Sequence, residues 1–187
     1  EAQLLVEEGT TPAAVDKTLT DFGMAMGIFA VDDMGGIDLA WRVRQEYRHL
    51  ETPGVRQPLV LEKLYEMKRW GQKTGSGWFK YQGGREPVAD ADVETLVKTT
   101  AAEAGIPQRS IASEEIVERC VYIMINEAAK ILDEGHAVRA ADIDVIYLTG
   151  YGFPGFHGGP MQYADTVGLK KVYDRIVEFR QTVGEWW

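Results

Sequence analysis

Apolar residues recur at helical spacing along most of the chain, and glycines interrupt them. Residues 1–8 read as the end of a helix, stopped by Gly9. Thr11 is placed to cap a new helix, with Pro12 at the first position, where a missing N–H costs nothing. Val15, Leu19 and Phe22 form its apolar face. A loop over 23–27 follows. A helical stretch then starts near Phe29, pauses at Gly35-Gly36 and resumes through Leu39, Trp41, Val43 and Tyr47. Residues 51–57 read as a turn-rich linker and 59–70 as a short amphipathic helix. The run from Gly71 to Gly77 reads as a tight turn that lays Trp78, Phe79 and Tyr81 on the core as a short extended segment. After a Gly/Pro-rich boundary at 82–90, helices are expected over 92–104, 113–134, 140–148 and 169–179, with a glycine-rich loop over 150–159. Strand patterns are thin throughout, so the expected class is all-α.

The chain also resembles itself. Glu1-Ala-Gln-Leu-Leu-Val-Glu-Glu-Gly9 matches Glu127-Ala-Ala-Lys-Ile-Leu-Asp-Glu-Gly135. In the same order, Val15-Asp16 matches Ile143-Asp144 and Phe22-Gly23 matches Tyr151-Gly152. Asp33, Gly36 and Ile37 match Asp165, Gly168 and Leu169. Four matches in one order define two tandem helical copies, over residues 1–84 and 85–187. Each copy has a broad apolar face that it cannot bury alone. The expected architecture is therefore a pseudo-two-fold pair within one chain, which would leave the isolated chain monomeric.

Charge and composition narrow the function. The net charge of −9 leaves no clustered Lys and Arg for a nucleic-acid groove. No stretch is long and apolar enough to span a membrane. The single cysteine, Cys120, lies in an apolar helical run and reads as a small buried hydrophobe. One Cys and three scattered His supply no disulfide framework and no metal site. The chain begins at Glu1, inside a helical pattern, as a piece of a longer polypeptide would.

Several motifs suggest chemistry and fail on context. Gly150-Tyr-Gly152-Phe-Pro-Gly155 matches the G-x-G-x-x-G dinucleotide fingerprint, with Val145-Ile-Tyr-Leu148 as a possible strand before it. The fingerprint needs a helix opening at the loop, and Pro154, His157, Gly158, Gly159 and Pro160 argue against one there. Lys73-Thr74 follows Gln72 where a phosphate loop has Gly, and an aromatic segment comes next instead of a helix. His157 has no carboxylate partner fixed by spacing and reads as structural. Asp32-Asp33 could form a carboxylate pair, but the match of Asp33 to Asp165 points to capping or packing. No cofactor-binding, metal-binding or catalytic residue is therefore expected in this chain.

Glu-Ala-x-x-Leu-x-x-Glu-Gly with a Val/Ile-Asp helix after it, and Gly-Phe-Pro-x-x-x-Gly-Gly-Pro-x-x-Tyr-Ala-Asp-x-x-Gly-Leu in the second copy, resemble the C-terminal helical domain of 3-hydroxyacyl-CoA dehydrogenases. The run Trp70-Gly-Gln-Lys-Thr-Gly-Ser-Gly-Trp-Phe-Lys-Tyr81 resembles the segment closing the first copy of that domain. Two copies in tandem resemble the multifunctional β-oxidation enzymes, which fuse this dehydrogenase to an enoyl-CoA hydratase. The resemblance implies oxidation of an acyl-CoA substrate by NAD. The His–Glu base pair and the NAD site would lie in a Rossmann domain, and an assisting Asn close to the start of the first helical copy, all upstream of Glu1. It also implies that the loop around Met26, Gly27 and Phe29 faces the substrate. Ala25 and Ile28 stand there where the family pattern has prolines.

This chain is thus expected to be the helical substrate-side and dimerisation-type part of such an enzyme, inactive alone. Gly184-Glu-Trp-Trp187 is not a Ser-Lys-Leu peroxisomal address, so a bacterial cytoplasm is the expected compartment. The rival readings are a non-enzymatic helical interaction or dimerisation module, and a related dehydrogenase of short hydroxyacyl substrates. Glycine-rich loops at matched positions in both copies favour the dehydrogenase over the pure scaffold.

Overall fold

The computed structural model describes residues 1–51 and 55–187. Its helices are α1 (Ala2–Glu7), α2 (Pro12–Phe22), α3 (Ile28–Gly35), α4 (Ile37–Glu46), α5 (Val60–Glu66), α6 (Ala91–Glu103), α7 (Ser113–Asp133), α8 (Ala140–Gly150), α9 (Pro160–Val167) and α10 (Leu169–Thr182). Among the described residues there is no sheet. Isolated bridges join Gly71 to Ser76, Ser76 to Lys80 and Lys80 to Val88. The protein is all-α, as its periodicity requires. The linker expected at 51–57 falls partly on 52–54, which lie outside the described residues.

Most helix ends sit where the sequence puts them. The Thr11 hydroxyl accepts the Ala14 N–H at 3.1 Å, with Pro12 at the first helical position. Gly36 breaks the chain between α3 and α4 at φ 102°. Helix α7 carries Glu114 and Glu115 in its first turn and Lys130 in its last, the order that suits its dipole.

Two expectations need correction. The helix expected over 59–70 stops at Glu66, and Lys68 turns left-handed at φ 57°. That turn folds the chain back on itself. It lets the Arg69 guanidinium reach the Gly77 carbonyl at 2.8 Å and Asp90 at 2.6 Å, and the Trp70 indole N–H donate to the Tyr65 carbonyl. These tertiary bonds outweigh the helical propensity of Lys68, Arg69 and Trp70. The second correction is α9, where no helix was expected. Gly158-Gly159-Pro160 looks like a break, but Pro160 occupies the first turn of a helix, where proline is favoured.

Two cores form. The first collects Leu5, Val15, Leu19, Phe29, Leu64 and Trp78. The second collects Val121, Ile125, Phe153, Ala164, Val172 and Phe179. Helix α7 serves both, with Ile116 in the first and Val121 in the second. Each large side chain buried this way contributes about 1.5–3 kcal/mol of transfer free energy. Helix α6, beyond the Gly/Pro boundary, buries Val93 and Val97 in the first core.

A buried ionic cluster ties α1 to α7. Arg119, 0% exposed, donates to Glu1 at 2.8 Å and to Glu8 at 2.6 Å. The buried Glu7 carboxylate accepts the Leu59 and Val60 N–H groups at the start of α5. Near the C-terminus, the Trp186 indole donates to Glu1 at 2.6 Å.

A candidate substrate-side loop

The candidate site is the loop over 23–27 and the start of α3. Glycine 27 is followed by a helix whose first N–H groups have no intrahelical partner. A side chain from α2 satisfies them. Asp16 accepts Phe29 N–H through one oxygen and Ala30 N–H through the other, both at 2.9 Å. The carboxyl fills the space where a Cβ on Gly27 would sit, so position 27 has to be glycine. Burial pushes Asp16 up to about 6, against the two backbone donors that lower it.

The arrangement recurs at α8 and α9. Asp144 accepts Met161 N–H at 2.8 Å and Gln162 N–H at 3.2 Å. A Cβ on Gly159 would overlap the Asp144 carboxyl. The sequence match of Asp16 with Asp144 is therefore also a match of hydrogen-bonding role.

Met26, Gly27 and Phe29 do not share one exposed surface. Met26 is 41% exposed, Gly27 is buried, and the Phe29 ring is in the first core, 4.6 Å from Trp78. The alternation follows from Asp16 drawing the α3 N-terminus onto α2, which turns Phe29 inward and leaves Met26 and Ile28 outside. Further along α3 and α4, the apolar side chains of Val31, Met34, Leu39 and Val43 are exposed as well.

The other side of the loop meets the glycine-rich loop over 150–159. The Ala25 N–H donates to the Gly152 carbonyl at 3.0 Å. A proline at 25 has no N–H to give, so the departure from the resembled pattern at this position supplies the donor. The Phe22 ring stacks on His157 at 4.4 Å, and His157 also meets Phe156 and Tyr163. His157 is thus a packing residue in an aromatic cluster.

This contact occupies the Gly150–Gly155 fingerprint. Its preceding segment is α8 rather than a strand, and the next α-helix starts only at Pro160. Gly152, at φ 68°, has Ala25 against its open side. The loop does not fit a pyrophosphate, which needs a helix N-terminus aimed into a free glycine cradle.

The remaining candidates hold structure together. Asp33 accepts Trp78 N–H at 2.9 Å, Phe79 N–H at 3.0 Å and the Tyr81 hydroxyl at 3.0 Å, and so fastens the extended segment to α3. Asp165, its match in sequence, is exposed. Asp32 accepts Gln3 Nε2 at 3.4 Å, and burial together with neighbouring Asp33 and Asp16 pushes it up to about 6. Lys73 pairs with Asp38, and the Thr74 hydroxyl accepts Trp70 N–H, which shapes the tight turn. Trp78, Phe79 and Tyr81 are laid into the core as expected. Cys120 is partly rather than fully enclosed, and burial pushes its thiol up to about 12. Sequence reasoning did not find the cap on α3. Asp16 and Phe29 lie too far apart for any local capping pattern, and only the recurrence of Asp16 as Asp144 could have signalled it.

Comparison with known proteins agrees with the family read from the motifs. The family model described as 3-hydroxyacyl-CoA dehydrogenase, C-terminal domain, matches residues 1–81 and 116–186. The peroxisomal bifunctional enzyme of Danio rerio is 41% identical over 94% of this chain, which spans 26% of that relative's length. The fatty acid oxidation complex subunit alpha of Vibrio cholerae is 33% identical over 99% of the chain, which spans 25% of its length. The crystal structure of the dehydrogenase part of multifunctional enzyme 1 from C. elegans superimposes with a TM-score of 0.70 at 28% identity, covering 92% of this chain and 38% of that one. With both stretches matching one domain description, this chain belongs to the 3-hydroxyacyl-CoA dehydrogenase C-terminal domain family.

Proposed function

We propose that this chain is the helical substrate-side part of an NAD-dependent 3-hydroxyacyl-CoA dehydrogenase of fatty-acid β-oxidation. In this reading the face formed by Met26, Ile28, Val31, Met34, Leu39 and Val43 closes an acyl-CoA cleft against an NAD-binding domain. The observation that carries it is the exposure of these six apolar side chains on two successive helices and the residues leading into them. Large apolar side chains left exposed together suit an interaction or binding surface. NAD and the base that takes the hydroxyl proton belong to the other domain. This chain's share is to present Met26, exclude water with an apolar wall, and hold α3 in place through Asp16.

The two matched stretches pair inside the chain, taking the place of a second subunit and leaving the chain monomeric. Contact between the 23–27 and 150–159 loops and the shared capping role of Asp16 and Asp144 support this reading. A bacterial cytoplasm remains the proposed compartment; the matched relatives include a bacterial one and others named as peroxisomal enzymes. Among the described residues no helix is long and apolar enough to cross a membrane.

The test is association with a separately produced NAD-binding domain of the family, followed by titration calorimetry. Binding that is lost when Met34→Glu and Leu39→Glu place charge on the face supports the proposal. Binding that ignores both substitutions, or no binding at all, contradicts it.

A further inference from the structure

The proposed substrate-side loop is gripped from two directions. From within the first matched stretch, Asp16 holds its C-terminal end through Phe29 and Ala30 N–H. Its N-terminal end is held by residues of the second stretch. The Gly152 carbonyl takes the Ala25 N–H. Gly23, at φ 109°, has the Phe156 ring 2.7 Å and the Pro154 Cβ 3.0 Å from where a Cβ would lie. The loop backbone thus passes flush against the second stretch at Gly23 and again at Ala25. The rings of Phe156, His157 and Phe22 form a continuous row, the first two centroids 4.4 Å apart and the last two 4.4 Å apart. Phe22 is the last residue of α2, immediately before the loop.

Phe156 is the unexplained member of this row. The residue is 77% exposed, so core packing does not account for it, yet its ring edge lies on Gly23. An exposed aromatic ring on a glycine backbone limits where that backbone can go.

We propose that Phe156 and Gly152 are positioning residues for the acyl-CoA side of the site: the 150–159 loop fixes the path of residues 23–26 and so the placement of Met26. The proposal rests on the reading that Met26 faces the substrate. It adds that the second matched stretch sets acyl-CoA affinity without touching NAD, through a backbone hydrogen bond and a ring seated on glycine.

The experiment has two arms. In the chain itself, amide hydrogen exchange at Ala25 and Met26 is measured by NMR for wild type, Phe156→Ala and Phe156→Leu. Phe156 is mostly exposed, so its truncation leaves the cores intact, and unchanged exchange at Leu64 and Val121 checks this. Exchange at Ala25 should quicken roughly fivefold in Phe156→Ala, the scale of weakening one hydrogen bond, and should be largely restored in Phe156→Leu. In the second arm the chain is joined to an NAD-binding domain of the family. Phe156→Ala should raise the KM for 3-hydroxybutyryl-CoA several-fold while the KM for NAD stays constant. Unchanged exchange at Ala25 overturns the proposal, and so does a KM for acyl-CoA that responds to Met26→Ala but not to Phe156→Ala. If Met26→Ala leaves the acyl-CoA KM unchanged, the substrate-side reading fails instead, and the exchange arm still decides whether Phe156 positions the loop.

Discussion

Asp16 and Asp144 each hold the first free N–H groups of the helix that follows the next loop, and each fills the space beside a glycine at that helix's start. The two are not equally buried: Asp16 is enclosed, while Asp144 is only half-buried. Removing the cap should therefore cost more at the first site. Asp16→Ala is expected to destabilise the chain by about 2 kcal/mol and Asp144→Ala by about 1 kcal/mol, within the range for lost helix caps. Urea unfolding of the two variants checks both the size and the order. Equal losses would mean that burial of the capped N–H groups contributes nothing.

Asp32 should make stability depend on pH in an unusual direction for a carboxylate. Burial pushes it to about 6 in the folded chain, against 3.8 for an unperturbed Asp. Below pH 4 the group is protonated in both states and costs nothing. Between pH 4 and 6 the unfolded chain releases its proton first, so stability falls as pH rises, and above 6 the penalty is complete. Asp32→Asn should then stabilise by about 1–2 kcal/mol at pH 7.5 and by much less at pH 4. Urea midpoints at the two pH values provide the check, and a gain that is equal at both would show that charge is not its origin.

Arg119 works in the opposite sense. It has no solvent exposure and serves Glu1 and Glu8 together. Burial alone would raise Glu8, but the Arg119 guanidinium outweighs it and holds the carboxyl below the usual range. Arg119→Met should cost about 3 kcal/mol at pH 7, because the buried Glu1 carboxylate loses its guanidinium while Glu8 keeps Arg56 and Arg109. The loss should shrink as pH falls and Glu8 protonates. A neutral substitution at pH 7 would show that water replaces the guanidinium.

How much of this was legible in the sequence depends on the range of each interaction. Thr11-Pro12 and the stopping glycines act within a turn, so helix starts and stops were readable. Lys68 was not, because its left-handed turn answers to Gly77 and Asp90, which periodicity does not connect to it. Pro160 was read as a break, since a proline that opens a helix and one that ends a segment look alike until the next eight residues are read together. At the candidate loop, Met26, Gly27 and Phe29 were named only through resemblance, and the burial of Gly27 and the inward turn of Phe29 depend on Asp16, a full helix away. The contact of Ala25 with Gly152 joins residues from the two matched stretches, which no local pattern links.

Cys120 gives an independent check on the packing of α7. Burial pushes its thiol up to about 12, so almost no thiolate exists at pH 8. Reaction with a disulfide reagent should be slow in the native chain and fast in denaturant. Rapid native labelling would mean that α7 and the first core separate readily.

The central claim, that this helical chain completes the substrate side of a dehydrogenase without carrying its chemistry, is tested most directly by turnover. Oxidation of 3-hydroxybutyryl-CoA with NAD is followed for the purified chain, for an NAD-binding domain of the family, and for the two joined. The account predicts no NADH from the chain alone and NADH formation from the joined protein far above that of the NAD-binding domain by itself. Turnover by the chain alone, or a joined protein no faster than its NAD-binding domain, would contradict it.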